Sequence, residues 1–441
     1  MENIINQFWN RNRIILKSFW IGFLVFLLLI PTFLISSLVT ERQDRQREAV
    51  TEISSRWAGA QTVTGPVIGI PYMETVSDRS DASRSEKRWA YFLPAKLDIH
   101  SRIIPEHRYR GINQVIVYTT ELQVRCHFDS LHLQEPGVPP NRILWPEATV
   151  FFDLADLRGL KEEVNLRMDT HSGAADLDLA PAKITTDQFK NALSATLPVW
   201  LPAAASGPLE FSSTLQIKGT GNLSFVPTGR ETKVEVASSW RDPSFTGSNL
   251  PDLRSVKDSG FEADWRVLAL NRNFPQQWKA NVFDLEPTAF GVNLIVPVDT
   301  YQQTTRCVKY AILIILLTFT AFFLIECVYQ RPIHSLQYLL VGFALCLFYT
   351  LLLSFSEYFG FNYAYAVAAA ATIGLITWNV GSMLRSRKMS FFICFFLAVQ
   401  YGFVFTLIQL QDYALLIGSV GLFITLALVM YFSRKIKWSG A

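Results

Sequence analysis

YAILIILLTFTAFFLIECV (Tyr310–Val328), QYLLVGFALCLFYTLLLS (Gln337–Ser354), FNYAYAVAAAATIGLITWNVG (Phe361–Gly381), SFFICFFLAVQYGFVFTLIQ (Ser390–Gln409) and YALLIGSVGLFITLALVMYF (Tyr413–Phe432) follow one another with only short joints between them. Each is close to the ~20 residues a helix needs to cross ~30 Å of hydrocarbon. A bilayer interior satisfies no backbone polar groups, so runs of this length read as membrane-spanning helices with their joints at the two surfaces. The chain is therefore an integral membrane protein, organised around residues 306–432.

Composition agrees. Hydrophobic residues make up 50% of the chain and charged ones only 17%, below the roughly 25% of a soluble domain. Outside residues 40–305 there are twelve Lys and Arg against four acids, Glu2, Glu326, Glu357 and Asp412, which leaves 28 basic and 33 acidic residues in the middle region. The overall charge of +3 thus hides a mildly acidic middle portion, which argues against a nucleic-acid partner.

At the start, residues 1–17 are short, polar and basic, and Ser18–Val39 is a sixth apolar run interrupted only by Pro31. It exceeds the 7–15 residues of a signal-peptide core and lacks a small-x-small cleavage site after it, so it reads as a retained anchor. With the N-terminus inside, the cytoplasmic segments carry Arg11, Arg13 and Lys17, then Arg331, then Arg385, Arg387 and Lys388, then Arg434, Lys435 and Lys437. The short loops on the other side, Ser356–Gly360 and Gln411–Asp412, carry none. That asymmetry predicts cytoplasmic termini and an exported middle region. Trp9, Trp20, Trp378 and Trp438 fall at the predicted cytoplasmic boundary, where indole rings prefer to sit.

After the anchor, Val50, Ile53 and Trp57 recur at helical spacing, so residues 40–61 read as a helical stalk. From Thr62 to Val298 the signal is mostly β. Leu122, Val124, Cys126 and Phe128 alternate with Gln123, Arg125 and His127, Val164, Leu166 and Met168 with Asn165 and Arg167, and Val234 and Val236 with Lys233 and Glu235. Period-two segments separated by turn clusters describe antiparallel sheets with one buried face, hence a sandwich or distorted barrel. One helix is expected over Thr186–Leu197, opened by a cap and closed before Pro198. The Ala/Pro/Gly-rich piece Pro198–Pro208 reads as a surface loop or as a divider of two subdomains. Only Cys126 lies well inside this region, so a disulfide framework within it is excluded by counting, and the residue reads as a small buried hydrophobe on its strand. A Cys126–Cys307 bridge stays open without geometry.

The runs GNLSFVPTG (221–229), SWRDPSFTG (239–247) and GFEADW (260–265), with Ala58-Gly59-Ala60-Gln61, Gly65-Pro66, RCVKY (306–310) and IHSLQYLLVG (333–342), resemble the CreD family of bacterial inner-membrane proteins. The similarity covers essentially the whole chain, in the same order of one anchor, a large exported domain and a five-span block. Ser335 departs from the pattern, which commonly has Pro after Ile-His. The resemblance implies a role in envelope integrity in Gram-negative bacteria, tied to a two-component stress response and to altered susceptibility to β-lactams and colicins. It implies no enzymatic activity, cofactor or active site.

A search for chemistry in the residues themselves arrives at the same silence. There is no His-Glu-x-x-His, Gly-x-Ser-x-Gly, Cys-x-x-Cys or Walker loop. Asp176 and Asp178 can share a strand face, but no third cation ligand accompanies them. His100, His107, His127 and His132 are scattered. Asn222-Leu223-Ser224 is a formal glycosylation sequon of little meaning in a bacterial chain. Inside the membrane, Glu326 lies about a turn from the cytoplasmic end of its span, within reach of the interface, and Gln400 near the middle of another reads as interhelical glue. Asn379, Thr318 and Thr320 are less costly, and His334 reads as a solvated surface residue. A transporter would show acids near the midplane or Gly/Pro-broken helices in paired positions, and neither is evident. Ala366, Ala370 and Gly374, like Ala414 and Gly418, read as small-residue stripes for packing inside the bundle.

The expected architecture is an α-helical membrane protein with six transmembrane helices plus a large β-rich, sandwich-like periplasmic domain. Its segments are a cytoplasmic N-terminus (1–17), an anchor (18–39), a stalk (40–61), the β-rich domain (62–305), the five-helix block (306–432) and a cytoplasmic tail (433–441). The expected function is non-catalytic support of the cell envelope and its stress response. The alternatives are a transporter or signalling protein using the five-span block and a periplasmic enzyme acting on wall or lipid. No catalytic, cofactor or metal residue is expected. Partners are the lipid bilayer and, through the β-rich domain, other envelope proteins or cell-wall components; the oligomeric state is open.

Overall fold

The computed structural model describes residues 2–77, 83–131, 137–171, 173–181, 186, 188–189, 192–201, 207–279, 281–294, 300–329, 333–384, 386–410 and 413–433, with side chains from Lys17 onward except at 76, 77, 83, 328, 329, 384, 432 and 433. The helices are α1 (Glu2–Arg56), α2 (Thr300–Lys309), α3 (Ala311–Tyr329), α4 (Ser335–Phe359), α5 (Phe361–Leu384), α6 (Arg387–Gln409) and α7 (Ala414–Ser433). The strands are β1 (Gln61–Ser77), β2 (Ser83–Phe92), β3 (Lys96–Arg110), β4 (Asn113–Phe128), β5 (Thr149–Leu154), β6 (Val164–Thr170), β7 (Gly173–Pro181) and β8 (Leu193–Thr196). They continue with β9 (Leu209–Thr220), β10 (Asn222–Phe225), β11 (Glu231–Ser238), β12 (Pro243–Gly247), β13 (Leu253–Lys257), β14 (Gly260–Leu268), β15 (Gln277–Lys279) and β16 (Phe290–Leu294). The chain forms two compact units, Met1–Arg47 with Val298–Ala441, and Glu48–Pro297.

Among the described residues of the membrane unit, five helices are long and apolar enough to cross a bilayer, and six if the bent pair α2–α3 counts as one span. α1 buries Ile21, Leu24, Val25, Leu28, Thr32, Ile35 and Val39, spaced three and four apart, while Phe19, Phe26 and Phe33 on its other side are exposed. Lipid tails are as apolar as leucine, so this packing rests on close fit more than on exclusion of water. Gly342 of α4 is one such fit, since a Cβ there would run into Leu28. α4 is the central helix, burying Tyr338, Val341, Leu345, Phe348, Tyr349 and Leu352. His334 does more than sit in water: its Nδ1 accepts from the Leu336 amide at 3.3 Å, and Gln337 reaches back to the His334 amide, which caps α4. Ser335 is therefore the first helical residue. Proline is favoured at that position because its missing N–H would be unused, so the serine here departs from the expected pattern without disturbing the turn. α7 has no buried residue in its apolar window.

The small residues Ala366, Ala370 and Gly374 do not pack inside the bundle. All three are exposed, and α5 instead buries Ala364, Ala368, Thr372, Ile376 and Val380. Spacing of small residues does not distinguish a neighbouring helix from lipid, because both accept a smooth surface.

In the β-rich unit the strands form one hydrogen-bonded path, β12-β16-β10-β1-β5-β8-β7-β6-β9-β4-β3-β11-β14-β13, with β2 on β1 and β15 on β2. β1 pairs in parallel with β10, and β3 with β11; the other strand pairings are antiparallel. The alternations read from the sequence hold: Leu122, Val124, Cys126 and Phe128 of β4 are buried, as are Val164, Leu166 and Met168 of β6 and Val234 and Val236 of β11. Each large apolar side chain removed from water in this way contributes about 1.5–3 kcal/mol before entropy is subtracted. One continuous core, including Ile68, Leu122, Met168, Leu215, Val234 and Trp265, runs through the sheet path. A second, aromatic cluster contains Tyr91, Phe151, Phe189 and Trp278.

The helix expected over Thr186–Leu197 does not form. Leu193–Thr196 is β8, hydrogen-bonded to β5 and β7. Thr186 does cap a turn, with its Oγ1 accepting from the Phe189 amide at 2.9 Å, but sheet pairing takes the chain beyond it. A capping signal marks a turn and not the structure that follows. Of Pro198–Pro208, residues 202–206 lie outside the described residues, as does His132.

Candidate functional site

The most densely bonded polar constellation of the β-rich unit lies where α1 ends. A helix leaves its last carbonyls unpartnered, with partial negative charge. Here the Arg158 guanidinium meets them, donating through Nη1 to the Ser55 carbonyl at 2.6 Å. Asp156 holds that guanidinium from the other side, through Arg158 Nε at 2.9 Å and Nη2 at 2.7 Å. The same carboxylate accepts from the Gly59 amide at 2.8 Å and the Arg158 amide at 3.1 Å. The Arg158 guanidinium, helped by these two amides, holds the Asp156 carboxyl down at about 2 against the opposing effect of burial.

Gln61, fully buried at the start of β1, completes the joint. Its Nε2 donates to the carbonyls of Asp156 (2.9 Å) and Lys218 (3.0 Å), and its Oε1 accepts from the Asp156 amide. Any residue larger than glycine at 159 would collide with this amide. Thr220 donates to the Ala58 carbonyl at 2.7 Å. The Trp57 ring lies between Arg108 and Lys218, with ring centroid distances of 5.0 and 4.8 Å. Asp156, Arg158, Gln61 and Thr220 are spent on holding, while the Trp57 Nε1 donor is buried without a partner. A carboxylate that is ionised down to about pH 2 and receives four hydrogen bonds is no general base near neutrality.

The residues singled out in the sequence do not converge. Asp176 and Asp178 share the exposed face of β7, opposite Arg167 and Asn165 of β6. His100 pairs with Glu235 at 2.8 Å, His127 lies between Asp129 and Glu210, and His107 meets Gln114. Among the described residues no group of three or more His, Cys, Asp or Glu could hold a metal. Cys126 and Cys307 are both free and buried, each within its own unit. Asn222 of the sequon is bonded to Asn293 across β10 and β16. Asp153 of β5 stands apart: burial pushes its carboxyl up to about 6.

In the membrane unit Glu326 does not reach for solvent. It forms an ion pair with Lys17 of α1 and accepts from Tyr338 Oη at 3.1 Å, while Lys17 also donates to the Ile333 carbonyl at 2.7 Å. Gln400 acts as interhelical glue, accepting from Thr318 Oγ1 at 3.2 Å and donating to the Ile314 carbonyl at 2.9 Å. Thr320 bonds within its own helix. Glu357 accepts from Tyr301 Oη at 3.2 Å and lies 3.7 Å from Arg42. The hydroxyls of Tyr349 and Tyr401 are buried without a partner.

Sequence reasoning missed Lys17 as the partner of Glu326, and missed the whole joint around Asp156. The only local signal for the joint was the Asp-x-Arg spacing of 156 and 158.

A profile of the family described as "Inner membrane protein CreD" matches residues 13–439. An Escherichia coli (strain K12) protein described in the same words is 33% identical over 425 residues, covering 94% of this chain and 91% of that relative.

Proposed function

The chain belongs to the CreD family of inner membrane proteins, and from that premise we propose that it works without catalysis, supporting the integrity of the envelope and its stress response. In this reading the termini are cytoplasmic and the β-rich unit is periplasmic, where it contacts other envelope proteins or cell-wall components. The observation that carries the reading is the joint at the end of α1. Asp156, Arg158 and Gln61 are committed to fastening the helix end to the sheet, as suits a part that holds or reports position. Deletion cells stressed with detergent and a β-lactam provide the test. They are complemented with a chain lacking residues 62–298 or with the full chain carrying Gln400→Leu and Glu326→Gln. Failure of the first alone supports the proposal. Failure of the second, with the protein still in the membrane, overturns it.

A second reading, transport or signalling through the membrane unit, has its own support. α2 and α3 meet at a bend of 41°, and the Tyr349 and Tyr401 hydroxyls are buried without partners. Bent spans and buried polar groups are the materials of solute paths. Tyr349→Phe with Tyr401→Phe should abolish complementation under this reading and leave it intact under the first.

A further inference from the structure

A groove of about 390 Å³ runs between α4 and α5. Its walls include Leu340, Phe343 and Leu347 of α4 and Leu375 of α5, all exposed, so this face meets the bilayer. At 1.5 Å per residue, Leu340–Leu347 lie roughly 8–18 Å from the start of α4, within a single leaflet. Toward the end of α5 the lining turns polar at Asn379 and Ser382 beside the exposed Trp378. That is the order of groups a phospholipid presents, with apolar chain, interfacial zone and head group following one another.

Charge gives the head group its sign. At Gly381 the first turn of α6 comes close, and an added Cβ would stand 3.0 Å from Ser390 Oγ. That turn carries Arg387 and Lys388 with no acid, and Ser386 makes no side-chain cap. Cations at the positive end of a helix are misplaced unless an anion lies among them. Among the described residues neither has an acidic partner. We propose that this groove seats an acyl chain of an anionic phospholipid whose phosphate lies at the Asn379–Ser382 end, held by Arg387 and Lys388. Basic sites between spans at the membrane surface bind such head groups by the same physics.

The test uses the full chain in mild detergent, titrated with phosphatidylglycerol or with phosphatidylcholine of the same acyl chains. Bound lipid is counted by native mass spectrometry, and folding of each variant is checked by its elution and thermal midpoint. Phosphatidylglycerol should bind about tenfold more tightly, and Arg387→Ala with Lys388→Ala should erase that preference. Lys388→Arg should keep it. Ala344→Phe, which fills the groove and leaves the charges, should weaken both lipids. The proposal fails if the unaltered chain shows no head-group preference, if the preference survives loss of both cations, or if Ala344→Phe leaves lipid binding unchanged. It also fails if Ala344→Phe converts dimers to monomers, since the groove would then be a contact between copies.

Discussion

Asp156 accepts four hydrogen bonds and orients the cation that caps α1, so its removal should act on the helix end and not on the distant core. In Asp156→Ala the Gly59 amide loses its acceptor and the Arg158 guanidinium keeps only the Ser55 carbonyl, with nothing to orient it. Amide exchange at residues 57–61 should quicken by about tenfold or more, while strand β4 keeps its protection. Because this carboxyl is held at about 2, its contribution is complete above the usual aspartate range near ~3.9 and fades as pH falls from there toward 2. Asp153 has the opposite sign. Its carboxyl is raised to about 6, so the folded state holds a proton that the unfolded chain releases near ~3.9, and stability falls as pH rises between those values. Asp153→Asn should raise the unfolding midpoint at pH 7.5 by the equivalent of about 2 kcal/mol and change little at pH 4, read by tryptophan fluorescence of the full chain. Neither aspartate stood out in the sequence. Asp153 lies on a strand of Thr-Val-Phe-Phe-Asp-Leu whose apolar neighbours mark it as buried, yet the depth of that burial depends on elements far away in the chain. The partners of Asp156 other than Arg158 come from 95 or more residues away.

Helices and strands were more legible than their contacts, because their periods are local. The spans were readable since hydrocarbon demands an unbroken apolar run, and the strands of β4, β6 and β11 since each has one wet face. α2 was not marked as an element. It is a short amphipathic helix whose polar composition hides the buried face Tyr301, Thr304, Cys307 and Val308. The ion pair between α1 and α3 is likewise invisible to any local window. Lys17→Ala should lower stability by about 2–4 kcal/mol, since it strands a carboxylate whose side chain is only 13% exposed. The exchange Lys17→Glu with Glu326→Lys should recover part of that loss, as read by thermal unfolding in detergent. α7 makes the contrary case. With none of its apolar window buried, ending the chain after Leu410 should shift the thermal midpoint of the remainder by less than about 3 °C.

For the whole molecule, the proposed orientation makes a direct prediction. The native thiols Cys126, Cys307 and Cys346 are buried, and Cys327 and Cys394 sit partly covered in membrane helices, so the background for a charged maleimide is low. In spheroplasts Asp178→Cys should react at once, and Lys388→Cys only after the membrane is opened. The reverse pattern would invert the proposed topology. The Lys17–Glu326 pair has a further meaning in time. Its members are 309 residues apart, and ribosomes add about 5–20 residues per second, so roughly 15–60 s of synthesis separate cation from anion. Throughout that interval only water at the membrane surface can meet the Lys17 ammonium group, and the whole β-rich stretch is made before its counter-charge exists, so this fastening of the first helix to the later spans is necessarily among the last contacts the chain can form.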